Sequence, residues 1–341
     1  MAAAALVISA CGGSGSDSSA TPEPTGATSS VKVGLAYDTG GKGDGSFNDA
    51  AYAGLQRAES ELGVTVKEVE AGTDETTETR SERLRLLATE GYNPVIAVGF
   101  MYSEAVAAVA AEFPDTTFAI VDSVVDGANV GSLIFAAEQG SYLTGVIAAT
   151  ASKSGKIGFI GGQEIPLIQA CEAGYIQGAK SVNPDIQVTS KYMGPAGDNT
   201  AWNAPDKAKT ATAAMIEDGV DIAYAAAGGS GLGMFQALVA AGGSAKGLWG
   251  IGVDSDQYNV PSYADVKDVI LTSMLKRVDV AVFDVIKGVV DGSPLVGIQN
   301  FDLKRDGVGY ATSNSAVNDF KAAADAAAEK IKSGEVTVAT E

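Results

Sequence analysis

Val31-Lys32-Val33-Gly34-Leu35-Ala36-Tyr37 is followed by a glycine-rich turn, Asp38-Thr39-Gly40-Gly41-Lys42-Gly43-Asp44-Gly45-Ser46-Phe47, and then by residues 48–62. The first segment is a short apolar run of strand length. The third sets Ala51, Leu55, Ala58 and Leu62 three and four residues apart, the period of an amphipathic helix, with Asn48 placed as its cap and Gly63 as its stop. Strand, turn and helix in this order open a βαβ unit.

The rhythm recurs downstream. Strands are expected at 64–69, 95–98, 117–121 and 130–135, with helices near 82–90 and 104–112 between them. After a helix over 140–151 a second series opens, with strands at 156–160, 187–192, 221–226 and 249–253 and helices at 167–181, 205–218 and 234–241. Such alternation predicts parallel sheets. A chain of 341 residues is long enough for two cores. The segments 269–274 and 315–331 are too few for a third and should complete the first two, one lobe comprising 31–137 with 254–296 and the other 138–253 with 297–335. Repeated crossings between lobes leave a cleft at the carboxyl ends of the strands, where doubly wound sheets bind ligands.

Upstream of Val31, residues 1–10 are a short apolar run ending in small residues before Cys11, too short to span a bilayer and lacking a basic leader. Ile8-Ser9-Ala10-Cys11 resembles the lipobox of bacterial lipoproteins, so residues 1–11 are read as a signal-peptide remnant whose cysteine becomes lipidated. Residues 12–30, almost all Gly, Ser, Thr and Pro, follow as a flexible tether reaching roughly 25 Å.

Composition excludes several functions. With 42 acidic against 23 basic residues, a net charge of -19, the chain should repel nucleic acid. It contains no histidine, which removes the commonest general base and metal ligand. Its two cysteines, Cys11 and Cys171, make neither a disulfide framework nor a metal cluster, and Cys171 reads as a small, partly buried helix residue. No catalytic residue, cofactor or metal site is expected. The glycines at 40–45 lack the Gly-Lys-Ser/Thr ending of a P-loop, and Met234 stands where Gly228-Gly229-Ser230-Gly231-Leu232-Gly233 would need its last dinucleotide-binding glycine. The second stretch is either a tight strand-to-helix turn or a place where a ligand approaches the backbone and a helix N-terminus.

Asp44-Gly45-Ser46-Phe47-Asn48-Asp49 resembles the D-x-S-F-N signature of the basic membrane protein family, whose better-studied members are nucleoside-binding lipoproteins. Further blocks match in order: Gln139 through Gly145, Ile165-Pro166-Leu167-Ile168, Gly174-Tyr175, Gly178-Ala179-Lys180, Ala227 through Gly231, Gly252 through Gln257, and Thr272-Ser273 with Lys276. The resemblance covers nearly all of residues 31–335.

It implies a two-lobed, type I periplasmic-binding-protein-like α/β fold, each lobe a mainly parallel sheet flanked by helices, with a hinge. It also implies a purine base held between Phe47 and Trp202, one ring from each lobe, Trp202 standing where phenylalanine is usual; otherwise Trp202 merely packs in a loop. Asp38 and Asp122 correspond to carboxylates on the base edge, Asp254 and Lys276 to the groups on the ribose hydroxyls, and Gly228 supplies backbone, while Asn48 joins this set from within the signature. Without the resemblance Asp254 could equally be a strand-end cap. Three carboxylates beside one lysine favour a neutral, hydroxyl-rich ligand over a phosphorylated one. The implied protein is a monomeric lipoprotein on the outer face of a bacterial cell membrane that hands a nucleoside to an ABC permease. The alternatives are a sugar or autoinducer as cargo, or a ligand-sensing lipoprotein partnered with a membrane receptor.

Overall fold

The computed structural model describes residues 1–2, 29–72 and 75–341, so Cys11 and most of the expected tether lie outside the described residues. The chain runs β1 (Lys32–Ala36), α1 (Phe47–Leu62), β2 (Thr65–Val69), α2 (Thr77–Thr89), β3 (Val95–Ala97), α3 (Ser103–Glu112), β4 (Phe118–Val121), β5 (Val130–Phe135) and α4 (Ala137–Ala151). It continues with β6 (Lys156–Glu164), α5 (Pro166–Val182), β7 (Gln187–Pro195), α6 (Pro205–Glu217), β8 (Ile222–Ala226), α7 (Gly231–Ala240), β9 (Trp249–Asp254), β10 (Ile270–Lys276), α8 (Val278–Val290), β11 (Gly297–Phe301), β12 (Val308–Tyr310) and α9 (Lys321–Ser333).

These strands form two six-stranded sheets, ordered β11-β5-β4-β3-β1-β2 and β12-β10-β9-β8-β6-β7. Every pairing is parallel except β10 with β12. The central strands β3, β4 and β8 are buried at every residue, as strands covered by helices on both faces must be. The fold is thus the expected two-lobed α/β architecture. Among the described residues no helix is long and apolar enough to cross a membrane.

The division of the chain differs from the sequence expectation. Ile270–Lys276 pairs with β9 and so extends the second sheet, because the loop after β9 is a run of 3-10 turns that returns the chain to the same lobe. Crossing back occurs only after Lys276, where α8 packs on α1 so closely that a Cβ on Gly54 would lie 2.4 Å from the Asp279 carbonyl. Gly297–Phe301 then pairs with β5 in the first sheet rather than the second. The boundaries placed at 253/254 and 296/297 are therefore corrected: β10 belongs to lobe 2, and α8 with β11 to lobe 1.

Smaller differences have local causes. Helix α2 starts at Thr77 rather than near 82 because Thr76 and Thr79 form a reciprocal capping box ahead of a polar first turn. Residues 315–319 are a 3-10 turn, and α9 begins only at Lys321. Within lobe 2, α4 packs on α5 at near backbone contact, since a Cβ on Gly145, Gly174 or Gly178 would lie 2.1, 2.2 or 2.0 Å from the carbonyls of Tyr175, Glu138 and Tyr142.

Candidate functional site

The carboxyl ends of the two sheets face one cavity of about 290 Å³, at the small end of the range for small-molecule sites. Asp38 follows β1, Asp122 follows β4, Asp254 ends β9 and Lys276 ends β10. All eight residues expected from the sequence line this cavity: Asp38, Phe47, Asn48 and Asp122 from lobe 1, and Trp202, Gly228, Asp254 and Lys276 from lobe 2.

The charged groups are buried. Asp38 is 6 % exposed, and burial pushes its carboxyl up to about 7 although the Thr39 N–H, donating at 2.7 Å, and the Arg80 charge pull it down. Gly99 is needed beside it, because its φ is 101° and a Cβ there would lie 2.0 Å from the Asp38 carboxylate. Asp122 and Asp254 both hold left-handed backbone, φ 65° and 64°, a conformation that a non-glycine residue keeps only where its surroundings impose it. Lys276 forms an ion pair with Asp122 across the lobe boundary. Burial alone would lower the Lys276 ammonium, but the Asp122 and Asp254 carboxylates outweigh it and hold the group above its ordinary value. Burial raises Asp254, offset in part by Lys276 and by the Ser46 hydroxyl.

The aromatic groups enter from opposite lobes. Phe47 is the first residue of α1, half-buried, with the Lys276 Nζ 5.1 Å from its ring centroid, within cation–π range. Trp202 ends the 3-10 turn Asn199–Trp202, its ring lying so close to Gly162 that a Cβ there would meet it at 2.3 Å. The Trp202 Nε1 is buried without a hydrogen-bond partner. Gly228 has φ 55°, which brings backbone, not a side chain, to the cavity wall beneath Trp202.

Asn48 is not the cap of α1. The helix begins one residue earlier, and the buried Asp44 carboxylate caps it by accepting from the backbone N–H groups of Ser46, Asn48 and Asp49 at 2.9, 2.9 and 3.2 Å. Asn48 instead braces the loop, its Oδ1 accepting the Asp38 N–H at 3.0 Å and its amide donating to Asp44 at 3.0 Å. Asp49 closes the turn by accepting from Gly43 and Gly45 at 2.7 and 2.9 Å. Both ends of the Asn48 amide are thus engaged within the protein.

Sequence reasoning missed part of the wall. Leu167, Ile168 and Cys171 of α5 and Met274 of β10 supply an apolar side to the cavity, and Phe100 lines it from lobe 1. Cys171 is buried rather than partly buried, its thiol pushed up to about 12 by burial and donating to the Leu167 carbonyl at 3.6 Å. A protonated thiol without a base is wall, not nucleophile.

Residues 31–341 match the Bmp family, described as ABC transporter substrate-binding protein PnrA-like. The chain belongs to this family. Among curated relatives, the ABC transporter nucleoside-binding protein BmpA of Lactococcus lactis is 37 % identical over 323 residues, covering 90 % of this chain and 89 % of its own. An uncharacterized lipoprotein of Pyrococcus abyssi is 35 % identical over 297 residues, 82 % of this chain and 69 % of its own. A solved ABC transporter system solute-binding protein of Aeropyrum pernix superposes with a TM-score of 0.78 at 28 % identity, covering 91 % of this chain and 94 % of that one. As a Bmp-family member the chain is a substrate-binding protein of the ABC transporter type, a binding protein and not an enzyme.

Proposed function

We propose that the protein captures a nucleoside, purine in type, in the interlobe cavity and delivers it to an ABC importer. The observation that carries this reading is one interlobe cavity that receives Phe47 from one lobe and Trp202 from the other together with the Asp38, Asp122 and Asp254 carboxylates and the Lys276 ammonium. Aromatic faces suit a flat heterocycle, carboxylates accept its N–H groups and the sugar hydroxyls, and Lys276 donates to a hydroxyl oxygen. The name of the Lactococcus lactis relative, a nucleoside-binding protein, supports the same cargo. The lipobox-like Ile8-Ser9-Ala10-Cys11 and the lipoprotein name of the Pyrococcus abyssi relative support an extracytoplasmic protein held to the membrane by lipid on Cys11.

Titration calorimetry of the purified protein against inosine, guanosine, cytidine, hypoxanthine and D-ribose tests the cargo. The reading expects saturable binding of the purine nucleosides, weaker binding of cytidine and hypoxanthine, and no competition by ribose. Ribose binding as tightly as inosine would place the protein among sugar receptors instead.

A further inference from the structure

Ser46 stands at the N-cap position of α1 and does not cap it. A serine there ordinarily turns its hydroxyl onto the N–H groups of the first helical turn. Here Asp44 has already taken those groups. The hydroxyl is released, and it reaches out of lobe 1 altogether, donating to Asp254 Oδ2 at 2.7 Å with the Val253 carbonyl at 3.4 Å.

Lobe 2 grips the same corner in return. Ser255 Oγ donates to the Ser46 carbonyl at 2.8 Å, and the buried Gln257 donates through Nε2 to the Gly45 carbonyl at 3.0 Å. Tyr263 lies over Gly45, whose φ is 63° and where a Cβ would meet the ring at 2.4 Å. The residue that follows this corner is Phe47.

We infer that Ser46 is a positioning residue, whose hydroxyl holds the Asp254 carboxylate of lobe 2 in register with the Phe47 ring of lobe 1. The inference rests on reading the cavity as a nucleoside site. Ser46 is fully buried and does not line the cavity, so it acts through Asp254. Asp254 needs the hold, because its left-handed backbone is imposed from outside. With Oδ2 committed to Ser46, Oδ1 is the oxygen left for the cavity. The coupling also explains why aspartate and serine both sit ahead of the helix: one carboxylate caps, which frees one hydroxyl to cross the cleft.

The test is calorimetry of inosine and 2′,3′-dideoxyinosine with the wild-type chain, Ser46→Ala and Ser46→Thr. Ser46→Ala should weaken inosine by roughly tenfold, the size of one hydrogen bond to a charged group, and leave dideoxyinosine unchanged. Ser46→Thr keeps the hydroxyl and should restore inosine. Equal loss for both compounds, or no loss for either, overturns the inference. If the wild-type chain binds neither compound, the cargo reading fails, and a crystal structure of Ser46→Ala decides the inference alone. An Asp254 carboxylate displaced by roughly 1 Å or more upholds it, and one left in place overturns it.

Discussion

At Asp38 burial and the Thr39 N–H pull in opposite directions, and burial wins, raising the carboxyl from its ordinary 3.8 to about 7. The folded protein therefore holds a proton that the unfolded chain has released between those two values, so stability falls as pH rises through that window. Asp38→Asn should flatten this slope, read from unfolding midpoints between about pH 4 and pH 8. Binding should run the other way: an ionised Asp38 accepts from a base N–H, so nucleoside affinity should rise as pH climbs through about 7 in the wild-type chain and stay flat in Asp38→Asn. The rings carry a separate share. Phe47→Ala and Trp202→Ala should each weaken nucleoside binding by about tenfold, or about 1.4 kcal/mol of lost stacking, measured by calorimetry. Unchanged affinity in either variant would remove that ring from the site.

Elements differ in how plainly the sequence announced them. Strand β1 and helix α1 were legible because apolar period, glycine stop and turn chemistry agree within one stretch, and Val130–Phe135 was placed to the residue. The order of β10 and β11 was not legible, since a strand's partner is set by the path of the connecting loop, here the 3-10 turns after Asp254, and that path leaves no periodic trace. The residues of the candidate site were reached through a motif resemblance, whereas Cys171 reads as a small, partly buried helix residue and Met274 only as the end of the segment 269–274. The quoted blocks around Gly145, Gly174 and Gly178 have a packing reason: they bring α4 and α5 to backbone contact. Gly178→Val should accordingly cost about 1–3 kcal/mol or more by overpacking, seen as a lowered unfolding midpoint, because its branched side chain would strike the Tyr142 carbonyl. A midpoint equal to the wild type would show that the crossing can spread at no cost.

Across the whole molecule, the two lobes meet through charge. Lys276 and Asp122 are 6 % and 5 % exposed in their side chains, and Asp254 lies beside them. Removing one partner of a buried pair is costly because it strands the other, so Lys276→Met should lower stability near neutral pH by about 3–5 kcal/mol. The loss should shrink as pH falls and Asp254, whose carboxyl burial already raises, takes up a proton, which thermal unfolding from about pH 8 to pH 5 would follow. Together, on the proposed function, these lobes enclose a heterocycle against their aromatic faces. The chain has two tryptophans, and Trp202 lines the cavity while Trp249 opens β9 away from it. In a Trp249→Phe background all indole emission comes from Trp202, so titration with inosine followed by fluorescence reads this enclosure directly. A saturable change in emission is expected with inosine and none with D-ribose; inosine binding by calorimetry with Trp202 emission unaltered would contradict enclosure of the base against this ring.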